Sequence, residues 1–115
     1  MNELLEQSLL YDFYGELLTD KQKEIFESFV LDDLSLAEIA EDSGITRQGV
    51  HDMVKRSIKA LKGYEDKLHL VDKFLLIKDD IKSLSELIEA SNETKISKEL
   101  SDEIEDILSR ISREL

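Results

Sequence analysis

The chain has 115 residues, 41% hydrophobic and 37% charged, with no cysteine, no proline, four glycines and a formal net charge of −12. That length fits one modest domain, or a small domain with an oligomerisation arm. The composition excludes disulfides, a thiolate metal site and a cysteine nucleophile, offers no apolar run near the ~18 residues needed for membrane insertion, and argues against attraction of the whole body to DNA or to an anionic membrane.

The lack of proline and the abundance of Leu, Ile, Glu and Lys predict an all-α fold. Residues 2–18 place Leu5, Leu9, Phe13 and Leu17 at helical spacing, with Leu4, Leu10, Tyr14 and Leu18 alongside. Gly15 either ends this helix or is tolerated in it. The segment is acidic and lacks the basic start and continuous apolar run of a signal peptide, so the cytoplasm is the expected compartment. Thr19-Asp20-Lys21-Gln22 reads as a capping box that opens a helix through Ile25, Phe26, Phe29 and Val30. Asp32-Asp33-Leu34 breaks the pattern. Ser35-Leu36-Ala37-Glu38 is a second capping box, starting a short helix that ends near Asp42.

Next comes the turn. Gly44 suits a left-handed C-cap, and Thr46 caps a helix predicted over about 46–62, with a joint at 63–66. Small Ala40 allows close helix approach, while Ile39, Ile45, Val50 and Met53 supply inward apolar groups. This spacing predicts a helix-turn-helix with one face of its second helix free for a major groove. Ser43 stands where that turn is often apolar.

Within residues 46–62 are five bases (Arg47, Lys55, Arg56, Lys59 and Lys62) and one acid (Asp52), a net of +4, which leaves −16 for the rest of the chain. The buried face of this helix is predicted to be Val50, Val54 or Met53, Ser57, Ile58 and Leu61. Arg47 and Gln48 fall in its first turn, where Arg matches guanine and Gln matches adenine, and His51 and Asp52 are further base-reading candidates. Thr46, Lys55, Arg56, Lys59 and Lys62 are phosphate candidates. The alternative is a trihelical module that contacts only protein, its basic face balanced by Glu24, Glu27 and Glu41.

The C-terminal part has another rhythm. Leu70, Phe74, Ile77, Ile81, Leu84 and Ile88 are spaced 4, 3, 4, 3, 4, an a/d seam over nearly three heptads, widened by Val71 and Leu75. These six are the dimerisation candidates, since a helix-turn-helix this small usually works as a dimer. After a polar break at 91–94, Ser97 or Ser101 caps a last helix with the stripe Leu100, Ile104, Ile107, Leu108, Ile111 and Leu115, Asp102 and Glu103 lying near its positive end. Residues 1–64 are thus expected to form the helix-turn-helix module and 65–115 a dimerisation region.

Tyr11, Phe13 and Tyr14 read as a core or interface cluster, because Asp12 and Glu16 sit among them. His51 and His69 have no partner at helical spacing and form no metal site. Adjacent acids such as Asp32-Asp33, Glu41-Asp42 and Asp79-Asp80 lie beside no nucleophile or phosphate loop, so no enzyme and no cofactor are expected.

Residues 19–62 resemble the promoter-recognition region of bacterial sigma factors. The matching pieces are Leu18–Gln22, Leu34–Ala40, Gly44–Val50 and Lys55–Leu61. Sigma recognition helices commonly carry a polar reader where this chain has Gly49, Arg at the place of His51 and Gln at the place of Asp52. Gly49 costs the helix about 1 kcal/mol relative to Ala. The whole chain resembles the YlxM-like family of small bacterial helix-turn-helix proteins, through Leu9–Gln22, Ser35–Ala40, Ile45–Arg56 and the long helical tail. That resemblance implies a regulatory role and a link to the signal recognition particle pathway, with DNA, or the particle's protein or RNA, as the partner.

Overall fold

A computed structural model describes residues 2–91 and 98–114. Among them there are helices and no strands, which makes the fold all-α. The chain forms two units, Met1–Val71 and Asp72–Leu115.

In the first unit, α1 (Glu3–Tyr14) opens on Asn2, whose Oδ1 accepts the Leu5 N–H at 2.8 Å. It passes at Gly15 into a single 3-10 turn, Gly15–Leu17. A Cβ at Gly15 would lie 2.9 Å from the Tyr11 ring, so the absence of a side chain lets that ring lie flat over the helix end. Of the wide apolar face that the spacing predicts, the buried row is Leu10, Tyr14 and Leu18. Leu5 and Leu17 are exposed, because the inward face is decided by where Tyr14 and the Tyr11–Phe26 stack dock (4.7 Å between centroids).

The predicted capping box at Thr19 is present and starts α2 (Asp20–Phe26). Gln22 N–H donates to Thr19 Oγ1 at 3.2 Å, and Thr19 N–H to Gln22 Oε1 at 2.9 Å. The regular helix then stops short of its predicted end. Glu27–Leu31 forms a wide π turn, closed by Asp32 N–H to the Glu27 carbonyl. An extra residue in the turn shifts the helical phase of the side chains there. Val30 therefore stays buried while Phe29 and Leu31 are turned outward. Asp33, at φ 55°, finishes the reversal.

The Ser35 capping box starts α3 (Leu36–Ser43) as predicted. Gly44 takes the left-handed C-cap, φ 73°, its N–H returning to the Ala40 carbonyl. Ser43, polar where such a turn is often apolar, donates its hydroxyl to the Ile39 carbonyl and is thereby satisfied within the turn. α4 (Arg47–Leu68) comes next, and α1, α2 and α3 all pack on it. Ile25, Ile39, Val50 and Val54 form a buried cluster, covered by Leu34, Leu36, Ala40, Ile45, Met53 and Ile58. Ser57 and Leu61 continue the buried face of α4, as the sequence predicts.

One expectation for α4 is corrected: it runs past Gly63 to Leu68, and the left-handed stop is His69, φ 56°. A Cβ at Gly63 would meet nothing, so that glycine is tolerated rather than required. The real end is made by a contact distant in sequence. Tyr14, 1% exposed, donates its hydroxyl to Glu65 Oε1 and accepts the Leu70 N–H at 3.1 Å. Glu65 Oε1 also accepts the Val71 N–H at 2.9 Å. Two orphan amides of the next helix are met this way.

That helix, α5 (Leu70–Ser91), carries the predicted seam, and the seam resolves into two rows. Phe74 and Ile81 are half-buried and Ile88 is buried, whereas Leu70, Ile77 (43%) and Leu84 (46%) are exposed. In α6 (Lys98–Glu114), Leu108 is buried and Leu100, Ile107 and Ile111 are exposed. Ser101 does not cap this helix. It lies a turn inside, 1% exposed, with no hydrogen-bond partner on its hydroxyl among the described residues, and Glu99 is the acid of the first turn. Residues 92–97 and Leu115, including the expected break and the Ser97 cap, lie outside the described residues.

Candidate nucleic-acid interface

The exposed side of α4 is built by its buried side. Val50, Val54, Ser57 and Leu61 fix the helix rotation, and residues three and four apart share a face. Gln48, Asp52, Lys55, Lys59 and Lys62 therefore line the opposite face, all exposed, with His51 half-buried at its edge. From Gln48 to Lys62 this stripe runs about 21 Å at 1.5 Å per residue, with Arg47 about 100° around the axis from Gln48. Arg56 is exposed but stands about 100° around the axis from Lys55, so the phosphate candidates do not form a single row.

Thr46 is the N-cap of α4, its Oγ1 accepting the Gly49 N–H at 2.9 Å. This explains Gly49. A Cβ there would lie 3.1 Å from that same Oγ1 and 3.8 Å from Ile45 Cδ1, so the position faces the cap and not a groove. Asp52 also has a local role. Gln48 Nε2 donates to Asp52 Oδ1 at 3.0 Å, and His51 Nδ1 lies 3.7 Å from the same oxygen. The carboxylate holds the Gln48 carboxamide, so three of the four base-reading candidates form one connected group. His51 Nδ1 itself is buried and has no hydrogen bond.

Among the described residues, none of Arg47, Lys55, Arg56, Lys59 or Lys62 is in an ion pair. Of the acids that could have balanced them, Glu24 approaches Lys21 at 3.9 Å and Glu27 accepts the Tyr11 hydroxyl. The stripe is therefore a set of free cations. A hollow of about 410 Å³ at its N-terminal end is bounded by Arg47, Gln48, His51 and Leu36. Leu36 was not predicted as a site residue. The sequence carries no signal for it, since its place beside Arg47, Gln48 and His51 is set by how α3 packs on α4. A second hollow, about 490 Å³, follows Lys55, Lys59 and Lys62 and is closed by Asp66.

The aromatic cluster packs around buried Tyr14, which lies 6.0 Å from Tyr64 and 6.3 Å from Phe13, with Tyr11 and Phe13 half-buried. Half-buried Tyr11 and buried Tyr14 both have their pKa raised. Burial is the main cause, and hydrogen bonding to Glu27 (for Tyr11) or Glu65 (for Tyr14) adds to it. The reading of His69 as lacking a partner one turn away is corrected: a Glu65 carboxylate oxygen lies within 4.8 Å of a ring nitrogen. Glu65 Oε1 accepts from Tyr14 and Val71. No helix among the described residues is long and apolar enough to cross a membrane.

A family model described as "Putative helix-turn-helix protein, YlxM / p13 like" matches residues 1–110. The UPF0122 protein of Thermoanaerobacter sp. (strain X514) is 44% identical over 114 residues, covering 99% of this chain and 94% of its own. That of Clostridium acetobutylicum is 43% identical over 108 residues, 91% and 93% of the two chains. That of Streptococcus agalactiae serotype III is 51% identical over 75 residues, 63% and 68%. A match of this length, over a chain whose turn, caps and second helix have this geometry, makes it a member of the UPF0122 family of YlxM/p13-like helix-turn-helix proteins.

Proposed function

We propose that this chain is a cytoplasmic DNA-binding regulatory protein whose α4 enters a major groove. The observation that carries the reading is the set of cations on the second helix of a helix-turn-helix that are in no ion pair among the described residues. Arg47, Gln48, His51 and Asp52 meet base edges, with Asp52 holding Gln48 in register for adenine and able to accept from a cytosine amino group. Thr46, Lys55, Arg56, Lys59 and Lys62 meet phosphates. The role is one of binding, with no catalytic step. A second copy covers the exposed row of α5, Ile77 and Leu84, so that residues 65–115 act as the dimerisation region and set the half-site spacing.

Four to five phosphate contacts give a log-affinity against log-salt slope of about −4. Binding to genomic DNA fragments is measured by anisotropy across salt, for the wild type and for the Arg47→Ala/Lys55→Ala variant. A flat slope, or no binding at low salt, refutes the reading. A second reading is favoured by the charge of −16 outside residues 46–62, which suits a basic ribonucleoprotein. In it the chain modulates the signal recognition particle through its protein or RNA. The same titration with particle RNA and particle protein separates the two.

A further inference from the structure

The flank of α4 that faces α1 borders the proposed reading face, sharing His51 and Lys55 with it, and holds an open groove of about 430 Å³. Its floor is Val54 and Ile58. Its walls are Leu4 of α1, Phe29 of the wide turn and Leu36 of α3. Leu4 is 58% exposed and Phe29 is open as well, so apolar surface here faces water in the free chain. The lips differ in charge. On the α4 side stands Lys55, with no ion pair among the described residues, beside His51; on the α1 side stand Glu3 and Gln7. Glu3 already receives the Gln7 amide at 3.4 Å, whereas the Lys55 ammonium has no counter-charge among the described residues.

We infer that this groove docks an amphipathic helix from another protein, apolar along one stripe and acidic along the border that faces α4. The α4 wall from His51 to Ile58 is two turns, about 10 Å. That length seats the i, i+3 or i+4, i+7 anchors by which helices bind grooves. The unpaired lysine asks for an acid on one border, and Glu3 disfavours an acid on the other, which fixes the direction in which the helix lies. Docking has a consequence. His51 and Leu36 also bound the hollow at the reading end of α4, and Lys55 belongs to the cationic stripe. A helix seated in the groove covers groups that nucleic acid needs, so the two ligands exclude each other. This second half rests on the proposed nucleic-acid binding; the docking itself does not.

The test uses the full chain and two fluorescent synthetic helices of about five turns, with the same leucine stripe and either glutamates or lysines along one border. The acidic peptide is expected to bind about tenfold more tightly, equivalent to about 1.4 kcal/mol. Leu4→Glu and Phe29→Ser each weaken it about tenfold. Both alter exposed side chains, and unchanged circular dichroism confirms that each variant is folded. Lys55→Ala weakens only the acidic peptide. Equal binding of the two peptides, or indifference to Leu4→Glu, overturns the inference. So does a fall in sedimenting mass of the chain alone on Leu4→Glu, which would make a second copy the occupant. Competition is read separately, with unlabelled acidic peptide displacing genomic DNA fragments. If DNA binds and the peptide does not, docking fails alone; if the peptide binds and DNA does not, the proposed function fails alone.

Discussion

The contact at Tyr14 permits the most quantitative prediction. Tyr14→Phe keeps the ring in its buried site and removes one oxygen, which makes two hydrogen bonds: it donates to Glu65 Oε1 and accepts from the Leu70 N–H. A neutral pair contributes about 0.5–1.5 kcal/mol net, and a bond to a charged acceptor about 1.5–3. Two circumstances lower the sum. Glu65 Oε1 keeps the Val71 N–H, and Leu70 is exposed enough for water to reach its amide. The expected loss is therefore about 2 kcal/mol, against about 4 for Tyr14→Ala, which also empties the ring's site. Urea denaturation at neutral pH should show a lower midpoint with an unchanged slope. Hydrogen exchange should show faster exchange at the Leu70 and Val71 amides, while those of α3 change only with global stability. A double cycle with Glu65→Gln should give a coupling of about 1 kcal/mol or more. A Tyr14→Phe midpoint within about 0.5 kcal/mol of wild type, with protection at Leu70 and Val71 unchanged, refutes the idea that this hydroxyl ends α4 and starts α5.

Three further outcomes are expected. The raised pKa values of Tyr11 and Tyr14 mean that the folded chain keeps protons that the unfolded chain releases near pH 10, so this stability is intact below pH ~10 and is lost as pH rises through the folded values; the Tyr11→Phe/Tyr14→Phe double variant, melted from pH 8 to 11.5, should lose less stability over that range than wild type. Gly63→Ala should stabilise by about 1 kcal/mol because its Cβ meets nothing, whereas Gly49→Ala should gain about nothing in chemical denaturation, since its Cβ presses on the Thr46 cap and offsets the same helical preference; equal gains at both sites would contradict this. For the proposed dimer, Ile77→Glu with Leu84→Glu should halve the sedimenting mass without loss of helical circular dichroism, and an unchanged mass at micromolar concentration would remove α5 from the interface.

What could be read in the sequence was decided locally. The capping boxes at Thr19 and Ser35, the Thr46 cap and the left-handed Gly44 each depend on residues within four positions, and each stands where predicted. The inward face of α4 was legible too, because a 3.6-residue period over four turns leaves one answer. What failed was decided at a distance. Tyr14 reaches 51 residues along the chain to Glu65, and so the joint fell at His69 instead of Gly63. The first helix buries Leu10 and Tyr14, and not Leu5, because a stripe with apolar residues on nearly every side does not name its own inner edge. The π turn had no sequence signal, since Glu27–Leu31 carries ordinary helix formers.

Two of the three departures from the sigma pattern, Gly49 and Asp52, acquire different meanings once their surroundings are known. Gly49 looks like a missing reader, yet its Cβ direction runs into the Thr46 cap, so even a long side chain there would begin by displacing the group that starts α4. Its absence removes no contact from the outer face and protects the cap. Asp52 looks like a charge repelled by phosphate, yet its carboxylate already accepts from Gln48 and lies beside His51. Its desolvation on binding is thereby partly offset before any ligand arrives, and the Gln48 amide loses less rotamer freedom than a free side chain would. Asp52→Ala should accordingly weaken selection at the Gln48 base more than it strengthens phosphate attraction. If affinity for all sequences instead rises together, Asp52 is a repulsive charge and nothing more.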